Sequence, residues 1–289
     1  MKDLIQDFLE LIRRCSTDLP KDVEEAIRDG MKSEEDGSTA QSILNQVLKN
    51  CVMARERSAP ICQDTGTNVY WVDYPKSMTE REISEQIVEA TKLATKKLYL
   101  RPNSVDPITG KNTGDNTGIG HPYMHFHQWD KDYLRVRLML KGGGSENCGA
   151  QYKLPDSKLG AGRDLDGVAK CVRDAAFQAQ GKGCAPGILG VCIGADRGAS
   201  HENAKLILVR KLNERNPNSE LDRLEKKLTE EINNTGIGPM GLGGKTTVLD
   251  VKITTANRIP ACFFVSISYV CWACRRHTMT LRDGVVEYS

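Results

Sequence analysis

The chain has 289 residues, 39% hydrophobic and 27% charged, with a formal net charge of +2. That length can bury a sizeable core, and the near-balance of charge offers no field for nucleic acid or a membrane surface. Aromatic residues, at 6%, are too sparse for a base-stacking face.

In chain order, "MKDLIQDFLELIRRC" opens the sequence. Leu4, Ile5, Phe8, Leu11 and Ile12 fit one face of an amphipathic helix. Its acids are foreign to a secretory leader, and no apolar run approaches the roughly 20 residues of a membrane span. A cytoplasmic protein is therefore expected. Ser38 and Gln41 form a capping-box pattern before "SILNQVLKNCVMA", and Thr79 and Glu82 form another before "ISEQIVEATKLATKKLYL". A strand over 69–74 lies between these helices. A long loop, "RPNSVDPITGKNTGDNTGIGHP", follows, and its length points to function.

A strand is predicted over 133–141, ending in "GGGSENCGAQ". A helix over about 165–180 stops at Gly181, and "GKGCAPGILGVCIGAD" turns into a buried strand. Helices follow near 200–215 and over 219–234, the second with Leu221, Leu224, Leu228 and Ile232 on one face. "TGIGPMGLGGKTTVLDVKITT" runs from a glycine loop into a strand. "CFFVSISYVCWACRR" reads as a further strand, and a hairpin closes the chain at "TLRDGVVEY". The expected class is α+β: a helical part over about 1–55, then mixed β-sheet and helices, within one domain over 1–289.

Ten cysteines are many for a chain in a reducing compartment, where disulfides are disfavoured. Cys51 and Cys171 sit in helical patterns and read as small buried hydrophobes. "GIGPMG" matches a dinucleotide fingerprint in letters, but a helix precedes it and a β-rich run follows, the reverse of what that site needs. Cys271 and Cys274 form one CxxC. A structural zinc site needs two further ligands, and neither a second CxxC nor a suitable histidine pair is present. Single cysteines offer a third reading. Cys62, Cys184 and Cys271 each lie where irregular chain meets a strand. Three thiolates can hold three irons of a [4Fe–4S] cluster, leaving one iron open as a Lewis acid. Spacing alone does not decide among these. Asp64 equally fits an Asx turn, and Arg101 a surface cap at a helix end.

Taken together, "ICQDTG", "GGGSEN", "CAPGILGVCIG", "GIGPMGLGGKTT" and "FFVSISYVCWACRR" resemble the iron–sulfur class I fumarases and their relatives, the L-tartrate dehydratases. The closer likeness is to the α subunit of the two-subunit form, over residues 50–276. The resemblance implies a hydro-lyase that hydrates fumarate to (S)-malate reversibly at the open iron of a [4Fe–4S] cluster. The alternatives are an L-tartrate dehydratase α subunit or a non-catalytic metal-binding subunit. The implied cluster ligands are Cys62, Cys184 and Cys271, with Cys148 and Cys274 outside the set. Gln63, Arg101, Gly143 and Gly144 are the implied substrate contacts, and Asp64 is the implied acid/base. Relatives often carry a histidine twelve residues before the third cluster cysteine, where this sequence has Ile259. The sequence ends 18 residues after Cys271, so a separate β subunit in an α/β hetero-oligomer is expected to complete the active site.

Overall fold

The computed structural model describes residues 3–289. In chain order its elements are α1 (Ile5–Thr17), α2 (Lys21–Ser33), α3 (Thr39–Arg57), β1 (Thr67–Pro75), α4 (Glu80–Lys96), β2 (Tyr123–Trp129), β3 (Leu134–Lys141) and the short α5 (Gly143–Glu146). They continue with β4 (Ala150–Lys153), α6 (Leu165–Ala179), β5 (Gly187–Gly194), α7 (Arg197–Leu206), α8 (Ser219–Asn233), β6 (Val248–Ala256), β7 (Phe264–Val270), β8 (Arg275–Arg282) and β9 (Val285–Tyr288). The class is α+β, and the helical opening expected to about residue 55 consists of α1 to α3. Among the described residues, no helix is long and apolar enough to cross a membrane.

The chain divides into two compact units. The first comprises residues 3–20, 49–143 and 273–289. Its five-stranded sheet runs β2-β1-β3-β8-β9, with only the β1–β2 pair parallel. Phe8, Leu11 and Ile12 of α1 and Ile83 and Ile87 of α4 pack with Tyr70, Val136 and Leu138 of the sheet in one core. α4 starts where the sequence predicts, because Thr79 and Glu82 complete the reciprocal capping box that satisfies two N–H groups without helical partners. The capping pattern at α3 differs in detail. Ser38 Oγ accepts the Gln41 N–H, but Gln41 Oε1 accepts from Gly37 rather than from Ser38.

The second unit comprises residues 21–48 and 144–272. Its four-stranded sheet runs β4-β7-β5-β6, with β5 and β6 parallel. β5 is buried along its whole length, as a strand covered on both faces must be. The predicted leucine face of α8 is buried, together with Val168 and Val172 of α6 and Val251 and Ile253 of β6. Cys171 lies in that core, where burial pushes its thiol up to about 12. This is the chemistry of an inert packing cysteine.

Two expected elements differ in extent, and one strand is additional. The helix expected near 200–215 ends at Leu206 and passes into a 3₁₀ turn over Ile207–Val209. The strand read through "CFFVSISYVCWACRR" stops at Val270, and β8 begins only at Arg275. The long loop ends at β2, a strand the sequence pattern did not reveal.

Candidate active site

In the first unit, "PICQDTG" lies between α3 and β1. Ile61 anchors it: its N–H donates to the Ser16 carbonyl at 2.9 Å, and its own carbonyl accepts from Asn50 Nδ2 at 2.8 Å. With Ile61 buried, Cys62 is left half-buried and Gln63 exposed. Gly66 then turns the chain into β1 at φ +82°, where a Cβ would stand 2.9 Å from the carbonyl carbons of Leu140 and Lys141. No other residue combines that conformation with that approach.

Asp64 is held on both carboxylate oxygens. Oδ1 accepts the Gly66 N–H at 3.0 Å, so the Asx turn is present. Oδ2 accepts the Gly143 N–H at 2.7 Å, from the first residue of α5. The side chain is therefore oriented by two backbone donors, and each oxygen retains a lone pair for a further partner. The Asp64 carbonyl accepts from Arg275 Nη1 at 2.7 Å, and Arg275 is 1% exposed. The Asx-turn reading and a functional reading of Asp64 thus coexist in the same geometry.

Arg101 follows α4 at the start of the long loop and is exposed. Its backbone N–H donates to Thr65 Oγ1 at 3.1 Å, and its guanidinium reaches the Gln63 carbonyl at 3.5 Å. Cys62, Gln63, Thr65, Leu98, Leu100 and Arg101 line a cleft of about 360 Å³. Three of the expected site residues, Cys62, Gln63 and Arg101, therefore share one cleft wall to wall, and Asp64 is tied to Gly143 beside Gln63. Thr65, 1% exposed, was not singled out by sequence. The only signal was its place inside the motif.

In the second unit, Cys184 and Cys271 approach through backbone: the Trp272 N–H donates to the Cys184 carbonyl at 3.4 Å. Cys184 is exposed and lies in the left-handed region at φ +55°. For a residue with a Cβ that conformation costs about 1–3 kcal/mol, and such residues concentrate at functional sites. Two supports hold the strained loop. Met240, in the glycine-rich segment, donates its N–H to the Ala185 carbonyl at 2.9 Å. The Tyr269 ring fills the space beside Gly183 and Gly187, where added Cβ atoms would lie 2.3 and 2.2 Å from its ring carbons. Burial raises the Tyr269 hydroxyl pKa, and the neighbouring thiols of Cys271, Cys148 and Cys184 raise it further.

The glycine-rich segment is tied down at its end by one buried carboxylate. Buried Glu34, which follows α2, accepts the N–H groups of Lys245 and Thr246, at 2.9 and 2.8 Å, and the Thr246 hydroxyl at 2.7 Å. Gly144, exposed, has its carbonyl facing Cys148 Sγ at 3.6 Å. Ile259 is 64% exposed, and Arg258 beside it donates to the carbonyls of Ile259, Pro260 and Cys262.

Among the described residues, no group of three or more His, Cys, Asp or Glu side chains is gathered as a metal-ion site. An iron–sulfur cluster takes its thiolates one per iron, so its ligands do not converge on one point. The donor set fits such a group in kind. Cys62, Cys184 and Cys271 sit on irregular chain and retain exposure, unlike Cys15, which burial pushes up to about 12.

Residues 5–280 match the family model described as fumarate hydratase (Fumerase). The chain belongs to that family. Among its relatives, a provisionally named fumarate hydratase class I from Geobacillus stearothermophilus is 48% identical over 279 residues, covering 96% of this chain and 54% of that protein. A provisionally named L(+)-tartrate dehydratase subunit alpha from Methanocaldococcus jannaschii is 35% identical, covering 93% of this chain and 94% of that protein. The L(+)-tartrate dehydratase subunit alpha of Escherichia coli K12 is 31% identical, covering 96% and 90%. The chain therefore spans about half the length of the Geobacillus family member and nearly all of the two alpha subunits.

Proposed function

We propose that the chain is the cluster-bearing α subunit of an iron–sulfur hydro-lyase. Its reaction is the reversible hydration of fumarate to (S)-malate. The observation that carries this reading is the shared cleft of Cys62, Gln63 and Arg101, with the Asp64 carboxylate fixed beside it by Gly66 and Gly143. Family membership supports the reaction class.

Cys62, Cys184 and Cys271 would hold a [4Fe–4S] cluster. When bound, it supplies an open iron whose Lewis acidity makes hydroxide a better leaving group without redox change. The chain's own residues do the rest. Arg101 presents a fork of N–H donors suited to a substrate carboxylate. Gln63 offers an amide NH2 as donor and a carbonyl oxygen as acceptor to the other polar groups of a hydroxy acid. Asp64 holds or moves a proton at the carbon next to the hydroxyl-bearing one, and its two backbone bonds keep it in one orientation for that task. Gly143 and Gly144, without side chains, leave room for substrate. A β subunit would contribute the remaining catalytic groups in an α/β hetero-oligomer working in the cytoplasm.

A second reading, the α subunit of an L-tartrate dehydratase, is favoured by one observation: the chain spans 94% and 90% of two relatives so named. Both readings are tested by co-expressing the chain with its partner and following dehydration of (S)-malate and L-tartrate. Preferential turnover of malate is expected. Preferential turnover of tartrate would replace the first reading with the second, and no turnover of either would remove both.

A further inference from the structure

We propose that Asn116 is the positioning residue that sets Arg101 against the cleft. The inference rests on the reading of Arg101 as the carboxylate-binding group and goes beyond it by naming what holds that group in place.

Residues 101–104 form a strap without secondary structure of their own. An irregular segment that must present a side chain accurately needs its backbone groups bonded elsewhere. Here the bonds run to buried side chains. Asn116 is 3% exposed and uses its whole amide on this strap and its support. Its Oδ1 accepts the N–H groups of Asn103 at 2.7 Å and Ser104 at 3.2 Å. Its Nδ2 donates to the Arg101 carbonyl at 2.9 Å and to Thr95 Oγ1 of α4 at 3.0 Å.

Two backbone donors on one side and a carbonyl on the other leave a single orientation for the amide. Thr65 closes the strap from the cleft side, its Oγ1 accepting from the Arg101 N–H and from Asn103 Nδ2 at 2.9 Å. Asn116 itself lies at φ +60°, a conformation asparagine tolerates better than most residues. An aspartate of the same shape would keep the acceptor toward Asn103 and Ser104. It would set an oxygen against the Arg101 carbonyl, where a donor is needed.

Misplacement by about 1 Å can cost about 10²-fold in a binding or catalytic step. In the holo complex of the chain with its partner, Asn116→Asp is expected to raise the KM for (S)-malate and the inhibition constant of succinate about tenfold, with kcat and the visible spectrum within about twofold. A general loss of folding would lower kcat and leave those constants unchanged. Arg101→Gln is the reference. If it raises both constants and Asn116→Asp does not, the positioning role is overturned and the reading of Arg101 stands. If neither variant raises them, the reading of Arg101 fails and the positioning role falls with it. Hydrogen exchange on the wild-type chain decides the matter even if Asn116→Asp does not fold. The amides of Asn103 and Ser104 should exchange at least about 10²-fold more slowly than unstructured chain, and unprotected exchange overturns the proposal.

Discussion

The Asp64 carboxylate caps Gly143: Oδ2 accepts its N–H at 2.7 Å, joining "ICQDTG" to "GGGSEN" across 79 residues of sequence. Two motifs that look unrelated along the chain thus meet at one carboxylate. Asp64→Asn tests what that carboxylate does. The asparagine keeps the shape, but its amide nitrogen cannot accept an N–H, so the bond to Gly66 or to Gly143 is lost together with the acid/base group. Turnover of (S)-malate should fall by about 10²–10⁴-fold, with the iron content unchanged. Activity within about twofold of wild type would remove Asp64 from the chemistry.

Tyr269 supports the Cys184 loop by filling the space that side chains at 183 and 187 would otherwise take. Gly187→Ala forces a methyl group toward a ring that lies 2.2 Å from its ideal position. The ring is buried and packed by the second core, so it cannot simply move aside. A loss of about 1–3 kcal/mol is expected from overpacking, read from chemical denaturation, with partial recovery in the double variant Gly187→Ala/Tyr269→Leu. A single variant as stable as wild type would show that the ring yields freely.

His277 makes stability pH-dependent. Its Nε2 faces the Asp18 carbonyl at 2.8 Å, and because a carbonyl only accepts, that nitrogen carries the proton. Burial is the main cause that lowers the His277 pKa below its ordinary value. The unfolded chain then binds the extra proton first as pH falls. Its contribution is fully present above the ordinary histidine pKa of about 6.5 and is lost progressively below it. The unfolding midpoint of wild type should therefore drop more steeply between about pH 7 and 5 than that of His277→Gln. Parallel curves would exclude the effect.

Much of this was legible in the sequence where periodicity or capping was strong. The leucines of α8 and the Thr79–Glu82 cap lie where the pattern placed them. β2 escaped notice because it is an edge strand with no fully buried residue, so it carries no clean alternation. α2 is expected only as part of the helical opening, without bounds of its own, because only Val23 and Ile27 of its residues are buried hydrophobics. β4, four residues long at the other sheet's edge, offers too little pattern to read. At the site, the motifs named Cys62, Gln63, Asp64 and Arg101, but Thr65, Asn116 and Tyr269 act through contacts distant in sequence. No local spacing encodes such contacts.

The central claim is that Cys62, Cys184 and Cys271 hold an iron–sulfur cluster, and metal analysis of the anaerobically purified chain tests it most directly. The account predicts a brown protein with about four irons and matching acid-labile sulfide per chain. That content should be lost on exposure to air and sharply reduced in Cys62→Ser, but retained in Cys148→Ser. A colourless, zinc-bearing protein from cells supplied with iron and sulfide, or an iron content unaffected by Cys62→Ser, would contradict it.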